Sequence, residues 1–224
     1  MPSNGKTDHV SIEREKQLAA EAAAGLVKDG MTVGLGTGST VAFLLPALAA
    51  RKLAIRCVAT SVHTRQRATE LGLDVELVDT LDHLDVAIDG ADQVTPEGWL
   101  IKGGGGAHTR EKIVAASAAR FVVIGDSTKP VKALRPPVPL ELLAFGLPAT
   151  LRELGQAVVR QGWPLSPDGG IIADYNGPIG DPAELAARLS ATPGVVGHGL
   201  FEPALTADVF IATGDSVEHR VLHS

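Results

Sequence analysis

Short apolar runs alternate in the first half of the chain with longer segments that mix apolar and polar residues. The runs have the length of buried strands, and the mixed segments have the length of helices. This alternation indicates βαβ units and a mostly parallel sheet, hence an α/β fold. Ser11 is expected to cap the first helix and Asp29-Gly30 to end it. Strands are expected at 31–33, 53–59, 75–78, 86–89, 100–101 and 121–124, and helices at 11–28, 40–50, 64–71 and 109–119.

The pattern changes near residue 135. Arg135-Pro136-Pro137-Val138-Pro139 carries three prolines and is interpreted as a linker or an edge segment. The order that follows resembles β-α-β-β-α-β and predicts a smaller, ferredoxin-like α+β lobe over 135–206. After a first strand, its elements are expected to be a helix at 148–161, a hairpin turn at 167–170, a helix at 182–191 and a strand at 195–201.

A last apolar run, 207–213, predicts a buried strand that returns to the first domain. The chain of 224 residues has room for one large domain or two modest ones. We therefore expect a larger domain from 1–134 plus 207–224, and the smaller lobe from 135–206.

Composition narrows the class of protein. The chain is 45% hydrophobic and 21% charged, as is normal for a globular protein, and its formal net charge is -6. An acidic chain is a poor candidate for general nucleic-acid binding, although a small phosphate ligand needs only a local positive site. No apolar run reaches the roughly 18 residues of a membrane span, and the polar N-terminus lacks a signal segment. A cytoplasmic protein with no membrane or nucleic-acid partner is expected.

Cys57 is the single cysteine, so no intrachain disulfide can form, which suits a reducing cytosol. It lies in the apolar run 53–59. A buried structural thiol is favoured there over a nucleophile.

A glycine-rich turn, Gly34-Leu35-Gly36-Thr37-Gly38-Ser39-Thr40, joins the first strand to the second helix. Glycines let backbone N–H groups approach a ligand closely, and the following helix adds a partial positive charge. The turn therefore suits a phosphate group, although it is neither a Walker A loop nor a dinucleotide fingerprint. An ordinary strand-to-helix turn is the alternative.

Two more candidate segments follow predicted strands. Asp89-Gly90-Ala91-Asp92 stands at a strand's carboxyl end, where ligand groups gather in parallel sheets, and its carboxylates could hold sugar hydroxyls or exchange protons with them. Lys129, in Asp126-Ser127-Thr128-Lys129, could hold a phosphate or a sugar oxygen. A solvated Asp-Gly turn and a surface lysine are the alternatives.

The most specific segment runs from Lys102 through Gly103-Gly104-Gly105-Gly106 to Glu111 and Lys112. Four consecutive glycines are costly in conformational entropy and indicate a backbone that approaches something closely. Lys102 could stabilise a developing oxyanion, and Glu111 could act as a general base. The alternative for Glu111 is a first-turn acid that favours the helix dipole.

In this order and at these separations, the four segments resemble the ribose-5-phosphate isomerase A family. Weaker similarity through 193–196 and 213–215 extends the resemblance over nearly the whole chain. It implies a Rossmann-like domain with a smaller α/β lobe, a homodimer or homotetramer, and a place in the non-oxidative pentose phosphate pathway. It makes Glu111 the proton acceptor. Its implied substrate-binding residues are Thr37, Gly38, Ser39, Thr40, Asp89, Gly90, Ala91, Asp92, Lys102, Gly103, Gly104, Gly105 and Lys129.

Three departures from the family's usual pattern occur. Gln93 replaces a more frequent glutamate, Gly106 and His108 replace alanine and an apolar residue, and the 168–170 turn lacks the usual asparagine. None removes a matched catalytic position. His108 is interpreted as a packing or solvent-facing residue in preference to a second base.

The isomerisation moves a proton between C2 and C1, either through an enediol or by a metal-assisted hydride shift. The seven histidines are scattered without paired ligand spacing, so we expect the enediol route with no metal and no cofactor. Glu111 would take the carbon-bound proton, with Lys102 and the glycine backbone stabilising the oxyanion. Asp89 would handle hydroxyl protons and Asp92 would orient the sugar. Ser39, Thr40 and Lys129 would hold the phosphate.

Two other functions remain open from the sequence. A non-catalytic sugar-phosphate sensor would need a DNA-binding segment, and residues 1–28 offer only one helix. An acyl-CoA transferase-like enzyme would use a glutamate nucleophile, but the chain length and the motif separations fit it less well.

Overall fold

The structure is a computed structural model that describes residues 4–77 and 83–223, with side chains from residue 12 onward. Its helices are α1 Asn4–Ala24, α2 Val41–Ala50, α3 Val62–Glu70, α4 His108–Ser117, α5 Leu147–Leu154 and α6 Pro182–Ala191. Its strands are β1 Thr32–Leu35, β2 Arg56–Ala59, β3 Asp74–Glu76, β4 Val86–Gly90, β5 Gln93–Val94, β6 Leu100–Ile101, β7 Phe121–Asp126, β8 Val138–Leu142, β9 Ala157–Val159, β10 Ile171–Tyr175, β11 Val195–His198, β12 Leu200–Phe201, β13 Asp208–Thr213 and β14 Ser216–Val221.

A seven-stranded sheet in the order β14-β13-β7-β4-β1-β2-β3 forms the centre of the molecule. Six of its strands pair in parallel: β1, β2, β3, β4, β7 and β13. The seventh, β14, pairs antiparallel to β13 at the edge of the sheet. The mostly parallel sheet confirms the α/β class. The predicted strand at 207–213 is β13, and it lies in this sheet beside β7.

Alternate residues of the central strands pack on opposite faces of the sheet, as the period of a strand requires. Val33 and Leu35 join α1 and α2 on one face, whereas Ala87 and Val123 join α4 on the other. Gly34 leaves room for α4, since a Cβ there would lie 2.5 Å from Val114 Cγ1. Both faces are covered, so the central strands β1, β4 and β7 are buried apart from the half-buried Gly90 at the end of β4.

A separate four-stranded antiparallel sheet, in the order β11-β8-β10-β9, carries α5 and α6. The chain order β-α-β-β-α-β and this strand order give the ferredoxin-like arrangement that the sequence predicts. The boundaries at 134/135 and 206/207 stay a prediction.

Two predicted helices have different ends in the structure. The first begins at Asn4 and continues through Gly5, so Ser11 lies inside the helix and is not its cap. It ends at Ala24, before Gly25, and not at residue 28. The helix expected at 148–161 ends at Leu154, because Gly155 adopts a φ of 71° and the chain then forms β9.

Three predicted strand segments also differ. The run 53–59 forms a strand only from Arg56, and β3 covers 74–76, while Val78 lies outside the described residues. The strand expected at 195–201 divides at Gly199 into β11 and β12, which belong to different sheets.

The proline-rich segment was interpreted as a linker or edge, but Val138 and Pro139 belong to β8, between β10 and β11. Pro139 pairs with Asp174 of β10, and its carbonyl accepts from Gly199 N at 2.8 Å. The hydrogen-bond ladder between β8 and β11 ends at Leu140, so Pro139 lies just beyond it. The missing N–H of proline is tolerated at such a position.

The connection from β1 passes to β2 on one side, whereas β4 pairs with β1 on the other. Ligands of open α/β sheets bind at such a switch point, outside the carboxyl ends of the strands. In the described part of the chain, no helix is long and apolar enough to cross a membrane.

Candidate active site

The glycine-rich turn after β1 is packed directly against Asp89 at the end of β4. A Cβ at Gly36 would lie 1.9 Å from the Asp89 carboxyl carbon, so only glycine fits there. Asp89 Oδ1 accepts hydrogen bonds from Thr37 N at 3.0 Å and from Gly90 N at 2.7 Å. The carboxylate of Asp89 therefore fixes the backbone of the turn.

Asp89, Lys102 and Glu111 form a buried charged cluster. Lys102 Nζ donates to Asp89 Oδ2 at 2.8 Å and to the Gly90 carbonyl at 2.5 Å, and it lies 3.2 Å from Glu111 Oε2. Each of the three residues is at most 4% exposed. One ammonium group therefore serves two carboxylates in a medium that screens charge poorly.

Burial and the shared ammonium act in opposite directions on the pKa values of the two carboxylates. Burial raises the pKa of Glu111 to about 8; the Lys102 charge opposes this rise and the Asp89 charge adds to it. Burial also raises the pKa of Asp89 in spite of its bond to Lys102. Burial alone would lower the pKa of Lys102, but the two carboxylates outweigh it and hold that pKa above its usual value. Lys102 is thus held in its charged form, and the pKa of Glu111 is shifted towards neutral pH.

The four glycines after Lys102 form a tight turn that opens α4. Gly106 N donates to the Gly103 carbonyl at 3.0 Å, and Gly103 has a φ of 98°. Asp92 Oδ2 accepts from Gly104 N at 2.8 Å. A Cβ at Gly103 would lie 2.6 Å from the buried His108 side chain. The backbone of the turn is thus packed from below and held by Asp92 at one side.

A cleft of about 230 Å³ lies between the glycine-rich turn after β1 and the glycine turn before α4. Glu111 and Lys102 are at its inner end, whereas Ser39 and Lys129 are at its outer end. It is lined by Thr37, Gly38, Ser39, Thr40, Gly90, Ala91, Asp92, Lys102, Gly103, Gly104, Gly105, Glu111 and Lys129.

The structure thus brings all but one of the residues predicted for the site to the wall of one cleft. Asp89 is the exception: it lies behind the wall, bonded to Lys102 and to the backbone of the turn. The catalytic and binding roles assigned from the sequence stay predictions. His108 is fully buried, and burial lowers its pKa to about 4, so it packs and does not face solvent. Burial raises the pKa of the Cys57 thiol to about 12, and the side chain is in the core.

Sequence reasoning missed several residues that contact the site. Thr60 and Thr64 hydroxyls lie 2.8 and 3.3 Å from Thr37 Oγ1. Phe201 lies beneath Lys102, whose Nζ is 5.4 Å from the ring centroid. Arg160, which follows β9 of the small antiparallel sheet, donates to the Gly104 carbonyl. Only the threonines carry a sequence signal, since they follow a predicted strand, β2.

Among the residues that the structure describes, no group of three or more His, Cys, Asp or Glu side chains is arranged to hold a metal ion. The expectation of a metal-free and cofactor-free reaction stays a prediction.

Comparison with known proteins identifies the family. The sequence model of the family ribose 5-phosphate isomerase A (phosphoriboisomerase A) matches residues 56–216. Ribose-5-phosphate isomerase A of Roseiflexus sp. (strain RS-1) is 50% identical over 202 residues, covering 83% of this chain and 87% of that protein. The structure of ribose 5-phosphate isomerase A from Methanocaldococcus jannaschii superposes with a TM-score of 0.88 at 34% identity, covering 93% and 99% of the two chains.

A further similar structure is that of D-ribose-5-phosphate isomerase in complex with phospho-erythronic acid. It has a TM-score of 0.89 and 33% identity, and the match covers 94% of this chain and 99% of that one. This structure and the relatives above are all ribose-5-phosphate isomerases, the family that the four sequence segments resemble. The chain belongs to the ribose 5-phosphate isomerase A family.

Proposed function

We propose that the chain interconverts D-ribose 5-phosphate and D-ribulose 5-phosphate through an enediol intermediate. The observation that carries this proposal is the position of Glu111, a carboxylate in the cleft 3.2 Å from a buried ammonium group. Its pKa, raised to about 8, suits a group that both accepts and returns a proton near neutral pH.

In this mechanism, Glu111 accepts the proton from C2 of the open-chain aldose, and the electrons of the C–H bond move to form the C1–C2 double bond. The carbonyl oxygen on C1 becomes the oxyanion of the enediolate. The Lys102 ammonium and the backbone N–H groups of the glycine turn stabilise that negative charge. Glu111 then gives its proton to C1, the proton of the C2 hydroxyl passes to the oxygen on C1, and a ketose results.

Asp89 and Asp92 would act around this step. Asp89 is assigned the exchange of protons with the sugar hydroxyls. Its hydrogen bonds to Lys102 Nζ and Thr37 N support a second role, which is to position that ammonium and the turn after β1. Asp92 is assigned the orientation of the sugar. Its bond to Gly104 N means that the same carboxylate also holds the glycine turn.

The outer end of the cleft would bind the phosphate. Ser39 and Thr40 precede the N-terminus of α2, which favours an anion, and Lys129 adds a positive charge. A similar isomerase binds phospho-erythronic acid, a phosphorylated sugar acid, which supports a sugar phosphate as the ligand here.

The direct test is incubation of the purified chain with ribose 5-phosphate while the ketose product is measured. We expect formation of ribulose 5-phosphate that needs no nicotinamide and survives exhaustive chelation. Activity that is lost with a chelator and restored by one divalent ion would contradict the enediol route without metal.

The isomerase relatives cover most of the chain and do not favour the sugar-phosphate sensor. The same incubation also separates an isomerase from an acyl-CoA transferase-like enzyme, because only the isomerase needs no second substrate.

A homodimer or homotetramer in the cytoplasm completes the proposal. Phe145, 93% exposed, and Leu143 line one surface groove at the connection between β8 and α5, and such exposed apolar side chains support self-association. Light scattering on the purified chain is expected to give the mass of two or four copies, and a monomer would contradict it. Cell fractionation tests the location.

A further inference from the structure

Side chains of the smaller lobe meet the glycine turn: Trp163 and Ile172 lie against Gly106, and Arg160, which follows β9, donates a hydrogen bond to the turn. None of the described residues of 135–206 lines the cleft. Arg160 Nη1 nevertheless donates to the Gly104 carbonyl at 2.9 Å. This contact connects the smaller sheet to a backbone segment of the candidate active site.

The guanidinium group of Arg160 is itself held firmly. Its Nε and Nη2 donate to the two carboxylate oxygens of Asp174, each at 2.7 Å, and its Cζ lies 5.1 Å from the ring centroid of Trp163. A planar guanidinium that is paired along one edge and lies over an aromatic ring has little freedom left, so its remaining donor has a fixed direction.

The peptide that Arg160 contacts is the central one of a turn. Gly106 N donates to the Gly103 carbonyl, so Gly104 and Gly105 occupy the two middle positions. In such a turn the central peptide can flip, which exchanges the directions of its C=O and N–H. Glycine at the second middle position removes the steric penalty of the flipped form, so the sequence alone leaves both orientations accessible.

Arg160 selects one of these orientations. The peptide between Gly104 and Gly105 is planar and trans, so the Gly105 N–H points away from the Gly104 carbonyl and therefore away from Arg160. Gly105 lines the cleft. Among the described residues, its N–H has no hydrogen-bond acceptor. The orientation that Arg160 stabilises is thus the one that leaves this donor for a ligand.

We propose that Arg160 is a positioning residue for the isomerisation: by holding the Gly104 carbonyl, it aims the Gly105 N–H at the oxygen that becomes negative in the enediolate. This inference rests on the proposed function. The smaller lobe would then contribute to catalysis through the orientation of one peptide, without any contact with the substrate.

The test compares Arg160→Met with Asp168→Asn. Methionine keeps the stem of the side chain and its packing on Trp163 but has no donor. Asp168 accepts a bidentate ion pair from Arg110 at 2.6 and 2.7 Å, and it joins the same lobe to α4 without a bond to the glycine turn. Asp168→Asn therefore controls for a general loosening of the lobe.

For Arg160→Met we expect kcat to fall at least about tenfold, with KM within about threefold. The fall is smaller than the ~10²–10³-fold loss on deleting an oxyanion donor, because the peptide still samples the productive orientation. Asp168→Asn is expected to keep kcat within about twofold. Arg160→Lys keeps the positive charge and can still donate to the Gly104 carbonyl, so it is expected to recover most of the lost kcat.

An unchanged kcat in Arg160→Met, or an equal fall in Asp168→Asn, would overturn the proposal. If the methionine variant does not fold, Asp174→Asn replaces it. That change weakens the pairing that fixes the Arg160 guanidinium, so kcat must fall further than in Asp168→Asn at a KM within about threefold. An equal or smaller fall in Asp174→Asn overturns the inference. Wild-type protein assayed in parallel separates the two levels: its failure to isomerise ribose 5-phosphate overturns the proposed function itself.

Discussion

The inner and the outer ends of the cleft differ in how their charges meet water. At the inner end, Lys102 and Glu111 are at most 4% exposed, and the Lys102 ammonium is bonded to Asp89 and paired with Glu111. At the outer end, Ser39 is exposed and Lys129 is half-buried. Charges interact strongly where water is excluded and weakly where it is present. The inner end is thus suited to shifting pKa values, and the outer end to reversible binding of an anion.

This difference predicts that changes at the inner end lower turnover, whereas changes at the outer end weaken binding. Glu111→Gln is expected to have the largest effect. Glutamine keeps the size of the side chain but cannot accept a carbon-bound proton, so kcat should fall by ~10²–10⁴-fold. The variant should still bind phospho-erythronic acid and should fail to exchange the C2 hydrogen of ribose 5-phosphate with heavy water. Near wild-type turnover would reduce Glu111 to an acid that favours the start of a helix.

Stability provides the control for that variant. The pKa of Glu111 is about 8 in the folded state and 4.5 as an ordinary glutamate. Its protonated form therefore stabilises the fold below about pH 4.5, and this contribution is lost as the pH rises through about 8. Glutamine does not titrate, so the free energy of unfolding of Glu111→Gln should fall less between these pH values than that of the wild type.

The outer end is tested by Lys129→Ala and, separately, by Thr40→Val. Loss of one charge-assisted contact to the phosphate should cost about 1.5–3 kcal/mol of binding, or roughly 10–150-fold in KM, with little change in kcat. The effect of Lys129→Ala should shrink as salt is added, because that charge is in contact with solvent. Unchanged KM values in both variants would remove these residues from the phosphate site.

The coupling within the inner end is tested by the pH dependence of kcat/KM. Glu111 must be ionised to accept a proton, so kcat/KM should rise with pH and level off above an apparent pKa near 8. Asp89→Asn removes a negative neighbour and leaves the Lys102 ammonium to Glu111 alone. Both changes favour the ionised form, so the rising limb should move to lower pH. A limb that stays in place would show that another group controls it.

The same contrast explains how far the sequence predicts the molecule. The two glycine-rich segments Gly36–Thr40 and Lys102–Glu111 identify the cleft from the sequence. They do so because glycine runs and the ends of strands can be recognised from a few neighbouring residues. The helix predicted at 148–161 was wrong beyond Leu154, because a strand pairing with β10 competes with local helix preference. β14 was missed, since its residues are mostly exposed and only pairing with β13 defines it.

The burial of Asp89 behind the cleft wall and the contact of Arg160 with Gly104 could not be predicted for a related reason. Both depend on how distant segments meet. The position of Asp89 requires that Gly36 has no Cβ, and the position of Arg160 depends on the docking of the smaller sheet. Sequence patterns report periodicity and turn chemistry, and neither encodes a contact across more than fifty residues.

The smallest effect on turnover is expected for Phe201→Leu. This variant tests whether ion pairs alone hold the Lys102 ammonium in place at the inner end of the cleft. The buried Phe201 ring contacts two ammonium groups, with Lys102 Nζ at 5.4 Å and Lys112 Nζ at 4.9 Å from its centroid. Leucine keeps apolar contact but loses the π face, so cation–π energy of about 0.5–2 kcal/mol should be lost from stability. Burial already lowers the pKa of Lys112 to about 8, so Lys112 should lose its proton more readily in the variant.

Lys102 differs from Lys112 because Asp89 and Glu111 hold its charge directly. Turnover of Phe201→Leu should therefore stay within about threefold of wild type, while urea unfolding shows the loss of stability. A fall in kcat of tenfold or more at unchanged KM would contradict this division of roles. The aromatic face would then be needed to place the Lys102 ammonium, and the inner end would depend on packing as much as on its ion pairs.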